Sequence, residues 1–134
     1  MNQINKLLLC LIFFGVACGK TRQNKHDEED ILKKGSELFV KYGCAVCHSL
    51  DGKEIYGPPL NGIYMKELHV IRKGQEFTVT ADREYLKKAI VDPRFEKVLE
   101  YKNKEMPLTQ ISDKEAELLV DYIIALDNKT QLEK

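Results

Sequence analysis

Cys44-Ala45-Val46-Cys47-His48 is the stretch whose residue types and spacing point to definite chemistry. Two thiols separated by two residues can each add to one vinyl group of a haem, and the next residue brings its imidazole to one face of the iron. The thioether links would keep the cofactor from dissociating. Two other chemistries also use Cys-x-x-Cys. A redox dithiol of the thioredoxin kind follows a strand in a βαβ setting, whereas a helical pattern precedes Cys44. A structural zinc site needs further Cys or His ligands, and His48 and His69 are the only histidines after residue 30. His48 directly after Cys47 favours haem.

The opposite face of the iron takes a second ligand or stays open. Met106, in Glu105-Met106-Pro107, is the candidate. A thioether raises the reduction potential relative to a second histidine, although methionine also serves as plain core filling. Met65 and His69 are rivals from an expected hairpin. In Gly57-Pro58-Pro59-Leu60 the carbonyl of Pro58 is a candidate acceptor for the second ring N–H of His48, because metal-binding histidines are usually oriented this way. Otherwise the prolines simply stiffen a loop.

These residues have to be held by surrounding elements. Ile31, Leu32, Leu38, Phe39 and Tyr42 recur at helical spacing, with Lys33, Lys34, Glu37 and Lys41 between them. The acidic run 27–30 precedes this helix on the sequence reading, and Gly43 stops it. Residues 49–63 are rich in Gly and Pro and read as loop. Two β-branched and aromatic segments flank Arg72-Lys73-Gly74 and predict a small hairpin within 64–80. A second helix follows, capped by Thr80, with Tyr85, Leu86, Ala89 and Ile90 on its apolar face and Asp92-Pro93 at its end. Ser112-x-x-Glu115 is a capping box for a last helix whose buried stripe is Leu118, Leu119, Tyr122, Ile123 and Leu126. The segment 128–134 reads as a polar tail that frays.

Residues 1–17 carry Lys6 and then an apolar run from Leu7 to Phe14 with small residues behind it, which is a signal-peptide pattern. Cys10 falls within it. Gly15-Val16-Ala17-Cys18 resembles a bacterial lipobox, and the resemblance implies that Cys18 is a lipidation site; the alternative is ordinary signal cleavage, with Cys18 lost or left as a free thiol. Residues 18–29 are then a lipid-anchored flexible tether, nearly free of apolar side chains. Fully extended, it reaches roughly 40 Å. His26 lies within it as a solvated residue. The chain's 134 residues suit one domain, 30–127, and its 21 basic and 21 acidic residues give no field that argues for nucleic acid.

Taken in order, the haem motif, Gly57-Pro58-Pro59-Leu60, the hairpin and Met106-Pro107 resemble a class I c-type cytochrome. More narrowly, Gly57 to Tyr64, Thr78-Val79-Thr80-Ala81-Asp82 with Tyr85-Leu86, Ile90-Val91-Asp92-Pro93 and Met106-Pro107 are similar to the cytochrome c domain fused to subunit II of bacterial haem-copper oxidases. The resemblance spans about residues 30–127. It implies an all-α fold with a short β-hairpin insertion, and N- and C-terminal helices crossing beside the haem. It implies one haem c held by Cys44 and Cys47, with His48 and Met106 as iron ligands and the Pro58 carbonyl behind His48. No copper domain precedes the cytochrome in this sequence.

The expected function is a membrane-tethered electron carrier, not an enzyme, that passes single electrons between respiratory complexes. Its partner would be a terminal oxidase or another exported reductase. Its place would be the outer face of the bacterial cytoplasmic membrane or the periplasm. Tyr56, Pro59 and Met106 would form the docking face; Lys66, Lys102 and Lys104 could steer an acidic partner, although plain solvation is the favoured reading for these lysines. A haem enzyme or ligand sensor with an open sixth position is the alternative, and a haem-free disulfide or zinc domain is a further one.

Overall fold

The computed structural model describes residues 19–132. The expected signal peptide 1–17 and Cys18 lie outside the described residues. The chain divides into two units, 1–30 and 31–134. Four helices are described: α1 (Gly19–Lys41), α2 (Cys44–Cys47), α3 (Arg83–Val91) and α4 (Asp113–Leu132). Three strands, β1 (Glu67–Arg72), β2 (Gln75–Thr80) and β3 (Lys97–Val98), form one antiparallel sheet in the order β2-β1-β3. Among the described residues no helix is long and apolar enough to cross a membrane.

In the first unit the described residues, from Gly19 on, are helix, where a flexible tether was expected. Between Lys20 and Lys34 there is neither Gly nor Pro, and Arg22, Gln23, Lys25, Glu28 and Glu29 are good helix formers. The acidic run 27–30 therefore lies inside α1, not ahead of it. As helix, twelve residues rise only about 18 Å.

In the second unit, α1 ends at Lys41, and Gly43 turns the chain with φ 70°. L-residues with a Cβ rarely adopt that conformation. Gly35 has a different task. A Cβ there would stand 2.3 Å from Tyr122 Cβ and 2.5 Å from Tyr122 Cγ, so the missing side chain lets α1 and α4 cross in contact. One turn along, the Phe39 and Tyr122 rings meet with centroids 5.9 Å apart.

The crossing is also tied by charge. Lys41 Nζ bonds Glu115 Oε1 at 2.8 Å. Glu115 is the reciprocal partner of Ser112 in the expected capping box, with Ser112 Oγ at 2.6 Å from its Oε2. The Lys41 ammonium and the Ser112 hydroxyl pull the Glu115 carboxyl from the usual 4.5 down to about 2. A depressed carboxyl stabilises the fold above its unfolded value and loses that contribution as pH falls through the folded value. Glu115→Gln should therefore lower the melting temperature at pH 7 and make a much smaller difference near pH 2. Thermal unfolding at both pH values checks this, and an equal difference at both would remove the linkage.

The hairpin forms as expected. Lys73 and Gly74 both have positive φ, 49° and 80°, as a type I′ turn requires. Two features differ from the sequence reading. The sheet gains β3, paired through Val70↔Val98 and Ile71↔Lys97, so the architecture is mixed helix and sheet, not all-α with an isolated hairpin. Two residues are too few to leave an alternation pattern. The cap of α3 is Asp82, whose side chain accepts from Tyr85 N–H at 2.8 Å, and not Thr80, which stays in β2.

Helix α4 is buried on more than one side, because two apolar clusters share it. Val120 and Ile123 pack with Ile63, Leu68, Val70, Ala81 and Leu86. Leu119 and Tyr122 pack with Phe39. Val70 and Val120 have no exposed surface, and each such side chain stabilises the fold by about 1.5–3 kcal/mol. The helix runs on to Leu132, where a fraying tail was expected. Asp127, the residue before that segment, is only 3% exposed. Its carboxylate accepts the backbone N–H groups of Gly62 and, at 2.8 Å, Tyr64. The last helix thereby fastens the loop that follows the Cys-x-x-Cys-His turn.

Candidate functional site

The Cys-x-x-Cys-His turn is a single helical turn hung from Gly43. Val46 N–H donates to Gly43 O at 3.1 Å and His48 N–H to Cys44 O at 2.9 Å. His48 itself is extended, with φ −118° and ψ 130°, which swings its ring away from the helix. Cys44 and Cys47 are free and half-buried. Burial pushes the Cys44 thiol up.

Beneath His48 the loop folds back. Gly57 N–H donates to Cys47 O at 2.8 Å, and Leu60 N–H to Ser49 O at 2.9 Å. These bonds bring the Pro58 carbonyl to 2.8 Å from His48 Nδ1. A carbonyl can only accept, so Nδ1 carries the proton and Nε2 is left with its lone pair. Burial holds the imidazole below its usual range, outweighing the opposing effect of the Pro58 bond. The ring is neutral and oriented, as a metal ligand must be.

Sequence reading missed Gly57. A Cβ at this position would lie 2.6 Å from His48 Cε1 and 2.9 Å from Nδ1. The backbone passes directly against the ring, and only glycine fits there. A glycine next to the proposed acceptor was the available signal.

Cys44, Cys47, His48, Pro58 and Met106 all line one cleft, which encloses about 1110 Å³ including space open to solvent. Its walls are mainly apolar and come from all four helices, the loops, β1 and β3, among them Phe39, Ile63, Leu68, Leu86, Leu119 and Ile123. Met106 is half-buried. The rival ligands are elsewhere. Met65 is 59% exposed, and His69 is exposed on the hairpin, with Thr78 Oγ1 3.3 Å from its Nδ1. Neither lines the cleft. His26 is exposed on α1.

The site therefore offers two thiols at vinyl-adding spacing, an oriented neutral imidazole, a thioether and apolar walls. That donor set fits a covalently attached haem. Residues 32–127 match the family model described as Cytochrome c.

The chain belongs to the cytochrome c family.

No curated protein matches it at a significant level. As a cytochrome c it is an electron-transfer haem protein, and its family implies covalently bound haem c. The apolar face of α3 that was read from sequence turns out to line the cleft of this cytochrome. Tyr85, a lining residue, has its hydroxyl pushed up to about 12, chiefly by burial and then by the Glu96 carboxylate. Among the expected steering lysines, Lys66 and Lys102 are exposed. Lys104 instead packs over two rings, with Nζ 5.3 Å from the centroid of Tyr56 and 5.0 Å from that of Tyr101.

Proposed function

We propose that this cytochrome is a membrane-tethered carrier with one haem c, that His48 and Met106 are its iron ligands, and that Cys44 and Cys47 are its thioether sites. The observation that carries the reading is the meeting of all four side chains at one apolar cleft, with His48 held by the Pro58 carbonyl. When bound, haem supplies an iron that accepts and releases one electron. The chain's own residues do the rest. Pro58 fixes the imidazole so that Nε2 keeps its ligating lone pair. Met106 would supply a thioether to the iron, which would favour the reduced state relative to a second histidine. The apolar walls exclude water, and the chain transforms no substrate.

The finer reading follows the motifs similar to the cytochrome domain of oxidase subunit II. Electrons pass to a haem-copper oxidase or another exported reductase, docked near Tyr56, Pro59 and Met106. A lipid on Cys18 holds the protein at the outer face of the bacterial cytoplasmic membrane or in the periplasm. Mass spectrometry of the membrane fraction tests the anchor, and an unmodified soluble chain would remove it.

Visible spectra of wild type and Met106→Ala, in both redox states, test the site. The wild type is expected to be low-spin, with a ferric far-red sulfur-to-iron band that the variant loses completely. The variant's potential falls. A high-spin wild type that binds cyanide or carbon monoxide readily would mean an open site, and a haem enzyme or sensor would take the carrier's place.

A further inference from the structure

Strand β3 is two residues long, yet it stands between the hairpin and the segment that carries Met106. On one side it pairs with β1 through Val70↔Val98 and Ile71↔Lys97. One register step further, Glu96 meets Arg72, whose Nε lies 2.8 Å from Glu96 Oε2 and whose Nη2 also bonds that oxygen. The Glu96 side chain has no exposed surface. A buried carboxylate deprived of its cation is strongly destabilising, so this pair locks β3 against β1.

On its other side, β3 holds the loop. Lys97 Nζ donates to the Lys102 carbonyl at 3.4 Å and is ion-paired with Glu105, the residue before Met106. The Glu105 N–H donates in turn to the Tyr56 hydroxyl at 3.3 Å. A single ammonium thus grips the loop at two points within four residues of Met106.

We propose that Lys97 is a positioning residue for the sixth-ligand loop, through which the hairpin holds Met106 against the cleft. The inference rests on the reading of Met106 as an iron ligand. A loop already ordered loses less conformational entropy when its thioether binds. Without Lys97 the loop swings away more readily, and an outside nitrogen donor takes the sixth position more easily. The Lys97 side chain is 27% exposed and that of Glu105 69%, so solvent screening keeps the effect modest.

The test is an imidazole titration of the full-length, haem-loaded ferric protein, followed by bleaching of the far-red band. Lys97→Met is expected to raise the apparent imidazole affinity about fivefold. Lys97→Arg, which keeps a donor, should match wild type. Lys87→Met removes the ion pairs from α3 to Asp113 and Glu117 on α4. It should lower thermal stability and leave imidazole affinity unchanged. An unaltered affinity in Lys97→Met, or an equal rise in Lys87→Met, overturns the inference while leaving Met106 as ligand. A wild type with no far-red band overturns the Met106 reading and this inference with it.

Discussion

Gly57→Ala is expected to abolish most of the haem-loaded protein. The added methyl would sit 2.6 Å from His48 Cε1, 2.9 Å from Nδ1 and 3.1 Å from Nε2, so the ring or the backbone has to move. Neither is free to do so. The Gly57 N–H is bonded to Cys47 O at 2.8 Å, and the ring is bonded to Pro58 O at 2.8 Å. Overpacking of this kind costs about 1–3 kcal/mol, and loss of the ring's bond about 1 kcal/mol more. The larger consequence is geometric. Displacing the imidazole takes Nε2 away from the axis on which it would ligate, next to the two thiols that have to meet the same cofactor. The ratio of haem absorbance to protein absorbance after purification reads the effect directly, with Pro59→Ala as the neighbouring control. An unchanged ratio and an unchanged ferric spectrum in Gly57→Ala would defeat the argument.

Gly35→Ala is expected to lower stability by about 3 kcal/mol, which for a domain near 100 residues is roughly 15 °C in melting temperature. Helix propensity alone predicts the opposite sign, since alanine is favoured over glycine by about 1 kcal/mol in a helix interior. Contact decides the sign. The new Cβ would stand 2.3 Å from Tyr122 Cβ, an atom fixed to the backbone of α4. Rotating the Tyr122 ring cannot relieve that overlap, so the helices have to separate. Separation would also part the Phe39 and Tyr122 rings and stretch the Lys41–Glu115 pair. Thermal unfolding of the two proteins measures it, and a stabilised Gly35→Ala would mean that the helices do not cross in contact at this point.

These two glycines show where sequence reading runs out. Cys44, Cys47 and His48 were legible because their chemistry depends on covalent spacing within one turn. The hairpin was legible because Lys73-Gly74 sits between β-rich segments, and the last helix because Ser112 and Glu115 form a local box. Met106 was preferred over Met65 and His69 from its place before the last helix, and the cleft is lined by Met106 and by neither of the others. What remained hidden depends on partners distant in sequence. Gly35 matters because of Tyr122, Glu96 because of Arg72, and Asp127 because of two N–H groups in the loop. Acidic residues such as these look like solvated surface until the element opposite them is known. The helix over residues 19–30 was missed for another reason. Absence of apolar side chains argues against a packed core, and it does not argue against helix formation.

Asp127 also sets an order of events. It reaches back 65 residues to Gly62, into the same loop as the Pro58 carbonyl. Cys44, Cys47 and His48 lie at least 79 residues ahead of Asp127, and so emerge before it when the chain is exported from its N-terminus. Until that last buried carboxylate arrives, Gly62 and Tyr64 lack the acceptor that fastens the loop, and the two thiols are presented on an unfinished pocket. The reactive end of the site is thus made first and its fastening last, which leaves an interval in which a cofactor can be joined to the chain before the fold closes over it.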